Sequence, residues 1–259
     1  MFFFLVSYIS STVGSICGIG GGVIIKPVLD ALGCGTVSAI SFLSGCAVLS
    51  MSCYSVVRSM CSGRNKIELK KCTFLAAGAA LGGWLGKALF QSIAESAAKP
   101  DVVGAIQSFG LLALLIGALV YSLRKGRIES KQISHAAACT AIGIVLGLFS
   151  SFLGIGGGPI NLAVLSYFFG MDTKKAAANS LYIILFSQIT SLLSTLLTNT
   201  VPVFALSSLC FMVAGGILGG FTGQLINKKL DNSMVDKLFV ILTGCIILIS
   251  FRNALMFLF

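Results

Sequence analysis

The sequence predicts an all-α polytopic membrane protein made of two inverted repeats, each a re-entrant helical hairpin plus three transmembrane helices. Three observations carry that fold class. The 259 residues are 56% hydrophobic and only 10% charged, with a mean hydropathy of +1.00, too little charge for a soluble protein of this size. The pentapeptide GIGGG occurs twice, at Gly18 to Gly22 and at Gly154 to Gly158, each time between apolar stretches. Finally, the basic residues sort onto one side of the membrane only if each glycine run is a hairpin that turns back.

The first hairpin is expected over residues 2–33. Glycine costs about 1 kcal/mol relative to alanine inside a helix, so the run breaks the segment. In lipid, the freed backbone groups are tolerated only where protein or a wet cavity covers them. The arms Phe2 to Cys17 and Gly22 to Leu32 each fall short of the roughly 20 residues a full span requires. Apolar spans at 36–60, 69–93 and 102–123 complete a first repeat, residues 1–131. The second repeat, residues 132–259, has its hairpin at 135–170 and spans at 175–197, 203–226 and 235–259.

The halves align at an interval of 136 to 137 residues. Gly18 to Gly22 falls on Gly154 to Gly158, Gly33 on Gly170 and Thr36 on Thr173, and Gly78, Gly82, Gly83 and Gly86 fall on Gly215, Gly219, Gly220 and Gly223. Such internal repeats build many transporter folds.

Charge decides between parallel and inverted repeats. With eight full spans the basic residues divide ten against eight; with two hairpins and six spans they divide fourteen against four. The majority includes Arg58, Arg64, Lys66, Lys70, Lys71, Arg124, Lys125, Arg127, Lys131, Lys174, Lys175, Lys228, Lys229 and Lys237; only Lys26, Lys87, Lys99 and Arg252 remain opposite. Lys and Arg favour the cytoplasm, which puts the basic loops inside and both termini outside a cell membrane.

Several classes are excluded. The net charge of +10 suits an anionic leaflet and not nucleic acid. The nine cysteines form no CxxC pair or ligand-spaced cluster, predicting neither disulfides nor zinc. No metal or cofactor is implied. An intramembrane enzyme would need a nucleophile with a base, or a metal cluster, within the spans, and no histidine or acidic residue is expected deep in them. The opening MFFFLVSYIS has no basic n-region and reads as mature structure.

The candidate site follows from the tips. At each glycine turn the second arm starts a helix, presenting unpaired N–H groups and the positive end of its dipole, and glycine lets backbone approach a ligand. Gly20, Gly21 and Gly22 with Gly156, Gly157 and Gly158 would therefore cradle a small anion near the midplane. Ser41 and Ser44 after the first hairpin, and Asn179, Ser180 and Gln188 after the second, would line the cavity; the plainer reading is that they bond helix to helix. Gly157→Leu should abolish transport, with a similar cost at Gly21 if the repeats are equivalent.

Other features take structural readings. The Gly78, Gly82, Gly86 and Gly215, Gly219, Gly223 stripes suit close helix packing. Trp84 is expected to pack on a hairpin, His135 to cap a helix, and Lys26 to snorkel or to draw anions from the outer face.

The doubled GIGGG, the Asn179-Ser180 step after a short polar turn and the glycine-rich third segment of each half make the chain similar to the TauE/SafE sulfite exporter family, also called TSUP, over essentially its whole length. That resemblance implies a secondary transporter exporting small sulfur-containing anions such as sulfite, thiosulfate or sulfonates, driven by protons or by the anion gradient. The implied site is Gly20 to Gly22 and Gly156 to Gly158 with Asn179 and Ser180. Ser41-Phe42-Leu43 departs from the small-polar step usual in the first half. A passive anion channel, or an importer of a sulfur or carboxylate anion, is the alternative. Beyond the anion, membrane lipid and co-transported protons are the partners implied.

Overall fold

A computed structural model describes residues 1–61, 67–96, 100–133 and 135–258. Arg64, Lys66 and Lys99, on which part of the charge count rests, lie outside them. Ten α-helices follow one another, and no strand occurs among the described residues: α1 (Phe2–Cys17), α2 (Gly22–Ala31), α3 (Val37–Cys61), α4 (Leu69–Ser96), α5 (Pro100–Arg124), α6 (Ala136–Leu153), α7 (Gly158–Phe169), α8 (Thr173–Leu197), α9 (Leu206–Lys229) and α10 (Asn232–Leu258). Seven of them are long and apolar enough to cross a membrane. The chain is an all-helical, multi-pass membrane protein.

Both GIGGG runs break a helix as expected. Gly18 and Gly154 end α1 and α6 in the left-handed conformation, at φ 74° and 66°, where a Cβ would be strained. The arms α1 and α2 are short, as is α7; α6, with 18 residues, is long enough to count among the seven spans. Pro159 sits in the first turn of α7, where its missing N–H costs nothing. Pro27 lies inside α2, and Asn253 of α10 donates to its carbonyl at 2.8 Å.

The glycine stripes set the packing. Cβ atoms added to Gly78, Gly82 and Gly86 of α4 would run into the backbone carbonyls of Thr140, Ile144 and Leu148 on α6. Gly215, Gly219 and Gly223 of α9 meet the carbonyls of Phe4, Tyr8 and Thr12 on α1 in the same way. Small residues let these backbones touch, which is how apolar helices associate without a hydrophobic driving force. Each hairpin's first arm thus packs on the second span of the opposite half, and the halves are interlocked.

Direction follows from the same contacts. Residue numbers rise together along α4 and α6, and along α9 and α1, so each pair runs parallel. Between α3 and α8 the order reverses: Gly45 faces Gln188 and Leu192, whereas Val48 and Ile184 meet at Gly20.

The caps refine the alignment of the halves. Thr36 accepts the backbone N–H of Ala39 at 3.2 Å, and Asp172 accepts that of Lys175 at 2.9 Å, each capping the helix that follows. Thr36 therefore matches Asp172 and not Thr173, because the turn after Gly33 is one residue longer than that after Gly170.

One end of the bundle gathers the basic loops. Lys125 donates to Thr173 at 2.7 Å and to Asp236 at 3.4 Å, and Lys174 bonds the Leu230 carbonyl. At the other end, Arg252 reaches the Ala31 carbonyl at 3.5 Å. His135 precedes α6 at its cap position, exposed and without a capping side-chain bond.

Two expectations fail for reasons of packing. Trp84 does not pack on a hairpin: it is 56% exposed, pointing outward from α4 because Gly82, Gly83 and Gly86 occupy the inward faces. Lys26 neither snorkels nor faces an outer vestibule. It is buried, paired with Asp30 at 3.2 Å with side chains 4% and 5% exposed, so an acidic residue does lie within the bundle.

Candidate functional site

The two glycine tips meet at the centre. A Cβ on Gly20 would stand 3.3 Å from the Gly156 carbonyl oxygen, 3.4 Å from Ile184 and 3.7 Å from Val48. One on Gly22 would collide with the Ile155 carbonyl, and one on Gly156 would lie 2.6 Å from Val48. Ile19 and Ile155 are buried beside them. In this state the space between the tips is filled by backbone and by a pair of branched side chains, Val48 and Ile184, in equivalent positions of α3 and α8. The tips form a closed partition.

They are also unequal. Gly21 has ordinary helical backbone, at φ −65°, whereas Gly157 is at φ 105°, a conformation only glycine adopts readily. A Cβ on Gly157 would in addition stand 2.6 Å from Asn161 Nδ2 and 2.8 Å from Ile184. Gly21 and Gly157 are therefore not equivalent in backbone conformation.

Against one side of the partition lies a crevice of about 340 Å³ of empty space, mouth included, lined by residues of α3, α4, α5, α6 and α8 with Gly154 at its floor. Ser41 and Gln188 line it as the sequence suggested, and Ser151, Ser191 and Thr195 add hydroxyls. The Ser41 hydroxyl is buried without a partner. A Cβ on Gly154 would stand 2.8 Å from it, so glycine is what lets α3 press against the tip. A second crevice, bounded by Tyr121, Lys125, Ser166, Thr173 and Asp236, lies at the basic end.

The other predicted side chains are divided. Ser44 and Ser180 are fully buried, each with an unpartnered hydroxyl. Asn179 is committed elsewhere: its Oδ1 accepts the Glu68 N–H at 2.9 Å and the Cys72 thiol at 2.8 Å, and its Nδ2 donates to the Lys175 carbonyl at 2.8 Å. It ties the α3–α4 connection to the first turns of α8 and does not line the crevice.

Sequence reasoning missed three residues. Lys87, counted only as a charge on the far face, lines the crevice with just 8% of its surface exposed. Gln107 of α5 lines it too, donating to the Phe152 carbonyl at 2.5 Å while its Oε1 has no partner. Asn161, buried beneath Gly157, also carries an unpartnered oxygen. The available signal was a polar residue inside an apolar span, which by default marks a functional site.

A bundle of membrane-crossing helices with two broken segments meeting at its centre defines a membrane transporter architecture. The chain belongs to the TauE/SafE family: the family model described as sulfite exporter TauE/SafE matches residues 3–249. It is also 26% identical to the probable membrane transporter protein YunE of Bacillus subtilis (strain 168), over 92% of this chain and 93% of that protein. No solved structure matches the chain. Family and relative point to a membrane transporter rather than an enzyme.

Proposed function

We propose that this protein is a secondary transporter, working as an exporter, of small sulfur-containing anions such as sulfite, thiosulfate or sulfonates. It alternates access around a midplane site formed by the tips at Gly20 to Gly22 and Gly156 to Gly158. The observation that carries the reading is the closed partition: two glycine tips sealed by Val48 and Ile184, with a polar crevice reaching Gly154. A channel would need a continuous path. Lateral separation of the tips would open the glycine backbone to a substrate and, on the opposite side, to release.

The two halves act as inverted repeats, residues 1–131 and 132–259. The opposed course of α3 and α8, and the exchange of α1 and α6 between the halves, support that relation. Ser41 and Gln188 contact the anion from the crevice, Ser44 and Ser180 supply hydroxyls as the tips part, and Asn179 positions α8. The basic end faces the cytoplasm and both termini lie outside the cell membrane. Proton coupling would suit export driven by the membrane gradient.

The test is counterflow in proteoliposomes. Labelled sulfite should accumulate transiently against unlabelled sulfite inside, and saturate. Linear uptake without counterflow overturns the carrier reading in favour of a channel.

A further inference from the structure

Lys87 is a buried cation that no carboxylate among the described residues answers. Among the described residues it makes no ion pair within 4.0 Å. Its ammonium lies 4.8 Å from the centroid of the Phe90 ring, a weak partner for a charge so removed from solvent. Burying a charge is costly unless it is paired, and an ionisable group within a membrane span marks a pathway or a counter-ion by default. Lys26, also buried, has its carboxylate in Asp30. Lys87 lacks one.

What surrounds Lys87 suits an anion. Gly83, one turn earlier on the same face of α4, presses on Ser187 and Thr190 of α8, so that face meets the polar side of α8. Among the described residues, no acidic side chain lines the crevice of Lys87. The crevice does contain the unpartnered Ser41 hydroxyl, free to donate, and the unpartnered Gln107 Oε1, free to accept. Phe42, Phe90 and Leu192 form its apolar wall.

We propose that the Lys87 crevice is a substrate subsite for a singly charged oxyanion bearing a short apolar substituent, an inference that rests on the anion-transporter reading above. One fixed positive charge neutralises one negative charge. A dianion would leave a net charge buried among neutral walls, and the penalty for that is large, so among the anions proposed above the subsite favours sulfonates and hydrogensulfite over thiosulfate. The Ser41 hydroxyl donates to the oxyanion alongside the ammonium, and the Phe42, Phe90 and Leu192 wall takes the substituent. The subsite lies on the same side of the partition as Lys87, so it receives the anion before or after it passes the tips.

The experiment measures thermal stabilisation of the purified protein by methanesulfonate, by sulfite and by sulfate, for the unaltered chain, Lys87→Gln, Lys87→Arg, Ser41→Ala and Gly157→Leu. Methanesulfonate should act at a concentration at least about tenfold lower than sulfate. Lys87→Gln should weaken it by about ten- to a hundredfold, the range for a hydrogen bond to a charged group, while Lys87→Arg keeps most of the response. Lys87→Gln with unaltered affinity overturns the subsite; if Gly157→Leu then loses the response, the tip reading stands alone. No saturable response of the unaltered protein to either anion, or to sulfite, overturns both. Should Lys87→Gln fail to fold, Ser41→Ala carries the decision: it must weaken methanesulfonate several-fold, and unaltered binding overturns the subsite.

Discussion

Gly20 and Gly156 meet backbone to backbone at the centre of the bundle, with 3.3 Å between the Gly156 carbonyl oxygen and the place a Gly20 Cβ would take. Each comes from a different half of the chain, so the closed partition depends on both tips keeping their glycines. Their neighbours set how much each substitution costs.

Gly157→Ala should destabilise the protein more than Gly21→Ala. At φ 105°, the first places an L side chain in a disfavoured region, costing about 1–3 kcal/mol, besides pressing on Asn161 and Ile184. The second keeps helical backbone and meets Ser11, whose hydroxyl would be 2.9 Å from the new Cβ. Thermal midpoints of the two purified variants check this; equal losses would contradict the asymmetry of the tips. Gly157→Leu should abolish transport outright.

The stripe on α4 predicts a second contrast. Gly82→Ala forces α4 away from the Ile144 carbonyl of α6, and overpacking of this kind typically costs about 1–3 kcal/mol. Gly117 of α5 has nothing within 4 Å of its would-be Cβ, so Gly117→Ala should be neutral or stabilising, by up to about 1 kcal/mol from helix propensity. Denaturation curves in one detergent would separate them.

Asn179→Ala should lower stability and leave anion affinity nearly untouched. It strands the Glu68 N–H and the Cys72 thiol, and each buried donor left without a partner costs about 1–3 kcal/mol. Anion titrations beside thermal midpoints give the answer: a large affinity loss with intact stability would return Asn179 to the site.

How much of this was legible follows from the range of the interactions involved. The doubled GIGGG and the glycine stripes were readable because a backbone break and a close helix approach leave local signatures: a glycine run, or small residues at every fourth position. Ser41 and Gln188 were readable as polar residues on apolar spans. Lys87 was not, since a lone lysine in an apolar segment reads equally as an interfacial anchor. It is buried by the helices that line its crevice, α3, α5, α6 and α8, which are distant in sequence. The bonds of Asn179 were hidden for the matching reason, its partners Glu68 and Cys72 being distant in sequence.

Sidedness gives a fourth expectation. Lys125 with Thr173 and Asp236, and Lys174 with the Leu230 carbonyl, bring three connections to one end. An epitope inserted between Ile128 and Lys131 should be silent to antibody added outside intact cells and appear on permeabilisation, while an N-terminal epitope is read from outside. The reverse pattern would invert the orientation.

Ser44 follows its cap Thr36 by the same interval as Ser180 follows Asp172, and both hydroxyls are wholly buried and unpartnered. A buried polar group without a partner is a net cost, and its replacement by an apolar group of similar shape is neutral or stabilising. Ser44→Ala and Ser180→Ala should therefore hold or raise the thermal midpoint. Their transport should fall, because the hydroxyls gain a partner only when the tips part around an anion. Stability and activity moving in opposite directions would mark the pair as substrate contacts. A stability that drops by about 1 kcal/mol or more, with transport kept in proportion to folded protein, would make them interhelical bonds of the ordinary kind.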